Sequence, residues 1–440
     1  MYQIAIRVLA SGERALFLLD GQGCPLFYPT LFTTSQLRNA GAPANTIKNK
    51  LAHVAVLLRW QDDRKRDLVD DFRCGRFLTV ADIASLRDFA QRDMRDVGRA
   101  DKRPRRPGVV LLEGRTARST ARPTVSGPQQ YNRLTTIAEY LAFLAMAVTQ
   151  HKASAHDAVQ IERMVELIRK HRPRGIARGF DGDPHTKSPP SDLIDRFMDV
   201  VAVDHPDNPF RDPGIRLRNA ILFGLLRHTG IRRGELLSLR VGDMDVGHEP
   251  IVWVRRNHDD VSDPRRNQPV AKTKERPLPI PLELATLIQD YILSHRARIP
   301  GARRHGYLLV SHKKGATSGQ PLSLTALGSQ IMGKVRSVDP AFADIHPHTF
   351  RHHFNYELSR RVDEHNARAR EQGAGEGLIP ISEAREQDVR AFVNGHRSKA
   401  SAAIYNQRHL REVADQAIRR VQSAMRTHGS TAKKSSDDGQ

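Results

Sequence analysis

A segment rich in proline, glycine and charge, residues 171–190, limits what this chain can fold into more than any other stretch. Because it holds few apolar residues, it cannot form a hydrophobic core of its own, and its composition is typical of a linker between domains. The 440 residues of the chain are also too many for one ordinary core. We therefore expect separate domains on either side of a linker at 173–190.

The chain before the linker predicts a mainly helical domain at 31–172. Thr79 followed three residues later by Asp82 is a capping signal for the start of a helix. Elsewhere in this domain apolar residues recur at helical spacing in three runs, 45–60, 131–149 and 161–168.

The two ends of the chain have a different character. Residues 1–30 alternate polar and apolar side chains around Asp20-Gly21, which predicts a small hairpin. The last residues, 427–440, are polar and have the composition of a disordered tail.

After the linker, residues 191–426 predict a mixed domain in which helices surround a short sheet. A long polar hairpin separates two strand signals, at 251–254 and 276–280. Helical runs accompany them at 215–228, 282–296, 323–337 and 407–425. We therefore expect an α+β fold for the chain as a whole.

The cysteine content and the hydropathy bear on the compartment. Cys24 and Cys74 are too few for a disulfide framework in so long a chain. The longest apolar run, residues 141–148, is far shorter than a membrane span, and the N-terminus carries charge within its apolar stretch. We therefore expect a soluble, cytoplasmic protein that has no membrane partner.

The balance of charge indicates a nucleic-acid partner. Lysine and arginine total 70 residues against 49 aspartates and glutamates, a formal net charge of +21. Such an excess favours binding to phosphate backbones, although by itself it also suits a protein kept soluble by its charge. Residues 92–130 form a basic loop with too few apolar residues to fold alone. The candidate DNA-binding residues lie in this loop and in the first helical run, and are Arg103, Arg105, Arg106, Lys48 and Lys50.

Three residues in the last quarter of the chain point to phosphoryl transfer. His348 and Arg351 are three positions apart, so on a helix they share a face and can converge on one anion. Arg351 offers a planar fork that suits two phosphate oxygens, and His348 can donate or accept a proton near neutral pH. Tyr405 offers an oxygen nucleophile.

These residues belong to a pattern that resembles the tyrosine recombinase (phage integrase) family. The family signature is His-x-x-Arg, then Gly-His, then a tyrosine nine residues beyond that histidine. Here these positions are His348 with Arg351, then His396, then Tyr405. The family also has an earlier motif, Thr-Gly-x-Arg-x-x-Glu-Leu, which is matched by residues 229–236.

The resemblance covers about residues 190–410 and implies an architecture. The helical domain resembles the core-binding domain of the family, which together with the catalytic domain makes a clamp around duplex DNA. One departure is that Arg351 and His396 are separated by a longer segment than usual, which includes residues 361–387.

The resemblance also implies roles for the matched residues. Arg232 and Arg351 would hold the non-bridging oxygens of the scissile phosphate and offset the charge of a pentavalent transition state. His396 would donate a hydrogen bond to the same phosphate. His348 would accept or share the proton of the nucleophile, Tyr405.

Supporting residues follow from the same resemblance. On one helix Glu235 would orient Arg232, and His352 would support its own helix from behind. The family places a lysine in the turn between the two strands, where it protonates the departing 5′ oxygen. The turn here is about one residue shorter than the common pattern, so Lys272 is favoured and Lys274 stays an alternative.

The histidine cluster allows a rival interpretation as the zinc site of a hydrolase. His348 and His352 have the i,i+4 spacing of two zinc ligands on a helix. No glutamate stands between them as in His-Glu-x-x-His, however, and no third ligand is evident. The sequence therefore predicts a site with no metal and no other cofactor.

The resemblance implies a site-specific recombinase that cleaves and rejoins DNA through a 3′-phosphotyrosine. Its partners would be double-stranded recombination sites, three further copies in a tetramer on two duplexes, and accessory DNA-binding proteins. The resemblance also implies a bacterial protein associated with the nucleoid. Two alternatives are a type IB topoisomerase and a catalytically silent DNA-binding regulator. The regulator would have to lack a catalytic residue, and none is missing. The sequence does not distinguish integration, excision, transposition and chromosome maintenance.

Overall fold

The computed structural model describes residues 2–94, 123–150, 154–174, 189–371, 379–396 and 414–422. The chain divides into two compact units, Met1–Ala177 and Arg178–Gln440, and each unit has its own hydrophobic core. The division lies inside the segment 173–190, where the sequence predicts the linker.

The N-terminal unit combines one β-hairpin with a set of helices. Its two strands pair antiparallel, with Gln3 opposite Leu19 at one end and Val8 opposite Arg14 at the other. In the described residues its elements are β1 (Gln3–Val8), β2 (Arg14–Leu19), α1 (Phe27–Phe32, continued as a π-helix over Thr33–Arg38), α2 (Ala44–Asp63), α3 (Leu68–Arg73), α4 (Val80–Ala90), α5 (Gly127–Thr149) and α6 (Ala155–Lys170).

The turn of this hairpin differs from the one expected at Asp20-Gly21. Strands β1 and β2 are joined at residues 9–13, where the Leu9 N–H donates to the Glu13 carbonyl at 2.8 Å. Asp20 follows β2, and its carboxylate accepts from the backbone N–H groups two and four residues later, both at 2.9 Å. This Asx turn is a real turn, but it redirects the chain after the hairpin and does not form it.

The helices of this unit form where the spacing of apolar residues and the capping signal predict them. Trp60 of α2 and Leu141 of α5 are fully buried in one core, and Leu18 of β2 joins them there. At the start of α4 the Thr79 N–H donates to the Asp82 carboxylate at 2.9 Å, and the Asp82 N–H donates to the Thr79 hydroxyl at 3.2 Å. This reciprocal capping box satisfies two N–H groups that a helix start otherwise leaves without a partner.

The C-terminal unit sets a small antiparallel sheet among helices. In the described residues its elements are α7 (Ser191–Val200), α8 (Pro213–Thr229), α9 (Arg233–Leu236), β3 (Met244–Asp245), β4 (Ile251–Val254), β5 (Arg276–Pro279), α10 (Leu282–Asp290, continued as a π-helix over Tyr291–His295), α11 (Gly333–Arg336, preceded by a π-helix over Ala326–Met332), α12 (Pro347–Glu371) and α13 (Glu383–Asn394). Residues 414–422 are also helical.

The sheet has the order β3-β4-β5, and the strand β3 was not predicted from the sequence. The connection from β4 to β5, predicted as a long polar hairpin, folds back onto its own unit. Arg265 in this connection is buried, pairs with Asp263 at 2.8 Å, and donates to the carbonyls of Leu237 and Leu322 at 3.0 and 2.7 Å. These bonds fix the path of the chain that leads into β5.

The longer segment that precedes His396 is in part an extension of α12. This helix continues to Glu371, well past the turn that carries Arg351. Asn366 near its end donates to the Ile381 carbonyl at 3.0 Å and accepts from the Ile381 N–H at 2.7 Å. The returning chain is therefore tied to α12 before α13 begins.

A cluster of aromatic rings forms the centre of the C-terminal unit. The Phe197 ring lies edge-on to Phe223, Phe342 and Phe350, with centroids 5.0 to 5.4 Å apart. These rings come from α7, α8, α12 and the short turn before α12. The cluster therefore holds α12, the helix that carries His348 and Arg351, against the rest of the unit.

Helices with two small sheets give the α+β class expected from the sequence. In the part of the chain that the structure describes, no helix combines the length and the apolar character needed to cross a membrane.

Replacing Phe197 by alanine should lower the stability of the C-terminal unit by about 3–5 kcal/mol, because it removes a fully buried ring and leaves a cavity among three others. Differential scanning calorimetry of the full chain should show one unfolding transition shifted to lower temperature. The control Phe392→Ala removes a ring that is 59% exposed in the same unit and should change stability by about 0.5 kcal/mol or less. Equal shifts for the two variants would contradict the central position of Phe197.

Candidate active site

Four segments of the C-terminal unit meet at one place. They are the chain from α8 to α9, the turn before β5, the first turns of α12, and the end of α13 with the two residues that follow. The hydrogen bonds described below connect all four. The residues matched by the family motifs lie in these segments, except Tyr405, which is outside the described residues.

Arg232 lies directly before α9 and not on it. Helix α8 ends at Thr229 and is capped by Gly230, which has a φ of +59°. A Cβ on Gly230 would lie 2.7 Å from the Phe354 ring of α12. Arg232 is extended, with φ −74° and ψ 151°, and is the N-cap residue of α9. The expectation that Arg232 and Glu235 share a helical face is therefore wrong. Glu235 still holds Arg232, because its carboxylate accepts from the Arg232 N–H at 3.0 Å and lies 3.6 Å from the guanidinium.

Arg351 is one turn into α12, and its side chain is fully buried at 0% exposure. Its guanidinium donates to the Gly230 carbonyl at 2.8 Å and to the Asn394 carbonyl at 2.9 Å. The same guanidinium lies 3.2 Å from Nε2 of His396. Because arginine can only donate, Nε2 of His396 is the acceptor and the ring proton is on Nδ1.

The Asn394 carbonyl brings the two arginines together. It accepts from Arg351 and, at 3.1 Å, from Arg232. Two guanidinium groups that are far apart in the sequence therefore lie side by side over one oxygen atom. Cations held this close repel each other and are stabilised by an anion that contacts both.

A buried pair of amides holds that carbonyl in place. Asn355, one turn after Arg351 on α12, donates to the Asn394 side-chain oxygen at 3.2 Å and accepts from the Asn394 amide at 2.6 Å. Both side chains are buried, and Asn394 also donates to the Arg390 carbonyl at 2.9 Å. The pair joins α12 to the end of α13, so the residues that follow α13 are fixed relative to Arg351.

Glu235 is the buried negative charge of the site. It is 1% exposed, and it accepts from the Thr273 hydroxyl at 2.6 Å and from Arg276 at 3.0 Å. Burial alone would raise the pKa of Glu235, but the charge of Arg276 and the hydrogen bonds from Thr273, Arg276 and the Arg232 N–H hold that pKa below its usual value. The carboxylate is therefore ionised.

The two histidines of the motif are neutral near pH 7. Desolvation, together with the charges of Arg351, Arg232 and other neighbouring cations, lowers the pKa of His348 to about 4, even though the residue as a whole is exposed. The same two causes lower the pKa of His396, which is buried, to about 4. Both imidazoles can therefore accept a proton and can also donate from one ring nitrogen.

The turn before β5 exposes both of its lysines on the side of the chain that faces away from Glu235. Lys272 and Lys274 are exposed, whereas Thr273 between them is buried against Glu235. This alternation is that of an extended chain. The Lys274 N–H donates to the Gly395 carbonyl at 3.2 Å, so the turn also contacts the residue before His396. The choice between the two lysines stays a prediction.

His352 packs within the histidine cluster. Its ring lies edge-on to that of His348, with centroids 4.7 Å apart, and the residue is buried. Among the described residues no three histidine, cysteine or acidic side chains are grouped so that they could hold a metal ion.

Some predicted residues are elsewhere. Tyr405 and the loop arginines, Arg103, Arg105 and Arg106, lie outside the described residues. In the N-terminal unit Lys48 is exposed, whereas Lys50 is paired with Glu139. The DNA-binding role of these residues stays a prediction.

Sequence reasoning missed three polar residues that build the site, Arg276, Asn355 and Asn394. None belongs to the motifs used above, and each acts through partners that are distant in the chain. Only Arg276 could have been suspected from the local sequence, because it is a charged residue at the start of a short apolar strand. Such a residue is buried only when it is paired.

Comparisons with known proteins agree with the motifs. Residues 202–367 match the model of the phage integrase family. No curated protein matches the chain.

Solved structures that match the chain include the XerA recombinase, at 16% identity over 89% of this chain and 98% of that chain, with a TM-score of 0.33. A pre-cleavage complex of the XerH site-specific recombinase bound to its difH substrate is 15% identical over 64% of this chain and 70% of that chain, with a TM-score of 0.35. A post-cleavage XerH complex with palindromic difH is 14% identical over 65% and 77%, with a TM-score of 0.38.

These TM-scores are all below 0.5, so the superpositions support no transfer of residue roles. The family match is made on the sequence, and its range includes Arg232, both candidate lysines, His348 and Arg351, whose roles stay predictions. Residues 202–367 of this chain belong to the phage integrase family of tyrosine recombinases.

Proposed function

We propose that this protein is a site-specific DNA recombinase that cleaves and rejoins strands through a 3′-phosphotyrosine made by Tyr405. The observation that supports this most is the convergence of Arg232 and Arg351 on the Asn394 carbonyl. Two fixed guanidinium groups at one point suit the non-bridging oxygens of a phosphodiester, which are two atoms on one phosphorus.

The charge balance of the site supports the same proposal. The ionised Glu235 pairs with Arg276 at 3.0 Å and lies 3.6 Å from the Arg232 guanidinium, so one carboxylate lies beside two arginines of the site. Charge that develops on a phosphorane in the transition state would be stabilised by donors that are already in place. Since the arginines are held by backbone carbonyls, little reorganisation is needed when the substrate binds.

In the proposed reaction, the Tyr405 oxygen forms a bond to phosphorus while the bond from phosphorus to the 5′ oxygen breaks. His348, neutral near pH 7, takes the tyrosine proton. Lys272 or Lys274 gives a proton to the departing 5′ oxygen. For His396 to donate a hydrogen bond to the phosphate, the phosphate would replace Nε2 as the acceptor of Arg351, and Nε2 would carry the ring proton. The 5′ hydroxyl of a partner strand then attacks the phosphotyrosine. One bond is made for each bond broken, so the energy of the linkage is retained.

The remaining parts of the proposal concern DNA and assembly. The helical unit and its predicted basic loop, which ends before α5 begins at Gly127, would bind the same duplex, as part of a clamp around DNA. Exchange between two duplexes would need four copies of the chain on DNA. The biological role would be the integration, excision or transposition of a mobile element, and sequencing the DNA that flanks the gene would distinguish these from chromosome maintenance.

Trapping of a covalent complex tests the nucleophile. With a duplex selected for binding and nicked near the cleavage site, the wild-type protein should accumulate on a 3′ end, and Tyr405→Phe should form no adduct while binding DNA normally. The control Tyr131→Phe, in the N-terminal unit, should form the adduct at the wild-type rate. An adduct with Tyr405→Phe would show that another residue is the nucleophile.

A sulfur substitution tests the lysine. Replacing the 5′ leaving oxygen by sulfur, which departs without a proton, should restore cleavage by Lys272→Ala but not by Arg351→Ala. The cleavage rates of both substrates would be measured in single turnovers. If Lys272→Ala is active on the oxygen substrate and Lys274→Ala is the variant that sulfur rescues, the general acid is Lys274.

Neutralising the basic loop tests its contact with DNA. The triple change of Arg103, Arg105 and Arg106 to glutamine should lower the magnitude of the salt slope of binding by up to about three units, and should weaken specific and non-specific duplexes alike. Cleavage at saturating protein should persist, because the loop lies outside the catalytic motifs.

A matched control for the loop removes three arginines that already have acidic partners. Arg73, Arg76 and Arg87 are paired with neighbouring aspartates in the N-terminal unit. Changing these three to glutamine removes the same net charge and should leave the salt slope nearly unchanged. A wild-type slope for the loop variant would contradict its contact with DNA.

A further inference from the structure

We propose that Arg276 is a positioning residue for strand cleavage, which holds the lysine turn and the His396 turn in one fixed arrangement around Arg232. This inference rests on the proposed recombinase function. It concerns a residue that lies in β5, outside the motifs that identified the site.

The first observation is how Arg276 uses its donors. Its side chain is 1% exposed. Nε donates to the Val393 carbonyl at 2.6 Å, and one terminal nitrogen donates to the Thr273 hydroxyl at 2.9 Å and the Lys274 carbonyl at 3.3 Å. The other terminal nitrogen donates to Glu235 at 3.0 Å. One planar group therefore bonds to three separate segments of the chain.

The second observation is what those partners are. Glu235 is the carboxylate that accepts from the Arg232 N–H. Thr273 and Lys274 belong to the turn with the candidate general acids, and Val393 directly precedes the Asn394 carbonyl shared by the catalytic arginines. All the hydrogen bonds described for Arg276 thus lead to a segment that carries a catalytic residue. A residue that only stabilised the hydrophobic core would not be expected to have all its hydrogen-bond partners in these segments.

The third observation is the close packing around the guanidinium. Gly395 follows α13 with a φ of +63°, and a Cβ there would lie 2.6 Å from Nη1 of Arg276 and 2.7 Å from Cβ of Thr273. Gly395, the residue before His396, is therefore packed so closely against Arg276 that no side chain would fit between them. A displacement of the guanidinium would be transmitted to the backbone of His396.

The variant Arg276→Lys distinguishes the effect of the positive charge from the effect of the guanidinium shape. Its single ammonium can still pair with Glu235, but it cannot aim donors at Thr273 and Val393 at the same time, because it lacks the planar fork of arginine. Arg276→Lys therefore keeps the buried pair and loses the links between the segments.

The experiment compares cleavage of the oxygen and the 5′-sulfur substrates by the full chain in single turnovers. For Arg276→Lys we expect a loss of about 10–100-fold on the oxygen substrate, as is usual when a group that orients a functional residue is removed. The loss should be clearly smaller on the sulfur substrate, because a misplaced lysine no longer matters when the leaving group needs no proton. DNA affinity should stay at the wild-type level.

A matched control is Arg296→Lys. Arg296 is also buried in the C-terminal unit, but it donates to the carbonyls of Tyr307, Ala302 and His305, none of which belongs to the site. This variant should lose thermal stability and cleave both substrates in the wild-type ratio. Should Arg276→Lys fail to fold, Thr273→Val removes one of the same links with little change in shape, and it should show the same selective rescue to a lesser degree.

The outcomes separate this inference from the function on which it rests. If Arg276→Lys cleaves both substrates at wild-type rates, or loses activity equally on both, Arg276 does not position the general acid. If the wild-type protein forms no covalent adduct with either substrate, the recombinase proposal itself is wrong. Selective rescue of Arg276→Lys, with the wild-type ratio in Arg296→Lys, is the result that supports the positioning role.

Discussion

Two guanidinium groups donating to one backbone carbonyl is the interaction on which the rest of the site depends. Arg232 and Arg351 donate to the Asn394 carbonyl oxygen from different segments of the chain. The packing of those segments has to overcome the repulsion between the two guanidinium groups. Aromatic packing around Phe197 and the buried amides of Asn355 and Asn394 hold the segments together. The packing of the unit therefore holds two like charges close together.

The same charges set the state of the neighbouring acid and imidazole groups. Glu235 stays ionised because Arg276 lies against it and because Thr273, Arg276 and the Arg232 N–H donate to it. His348 and His396 stay neutral because desolvation and the nearby arginines disfavour a further positive charge. A carboxylate and two imidazoles therefore respond to one electrostatic field in opposite ways, and each is left in the state that suits the role the family resemblance gives it.

The features predicted correctly from the sequence are those that depend on neighbouring residues, namely helices and one of their caps. The apolar runs correspond to α2, α5, α6 and α8, and the capping signal at Thr79 marks the start of α4. The motifs identified Arg232, Arg351 and His396, which the structure brings together. The position of Arg232 as a cap was missed because helix spacing does not reveal where a helix begins. Arg276 and the two asparagines were missed because their importance comes from partners far away in sequence, which no local period records.

The amide pair between Asn355 and Asn394 also has a consequence for how this chain can change over evolution. It closes a loop that contains the end of α12, the bonds from Asn366 to Ile381, and α13. With the ends of the loop fixed, doubling its length costs only about 0.6 kcal/mol in closure entropy. Residues can therefore be added between the two asparagines without disturbing the carbonyl on which the arginines rest.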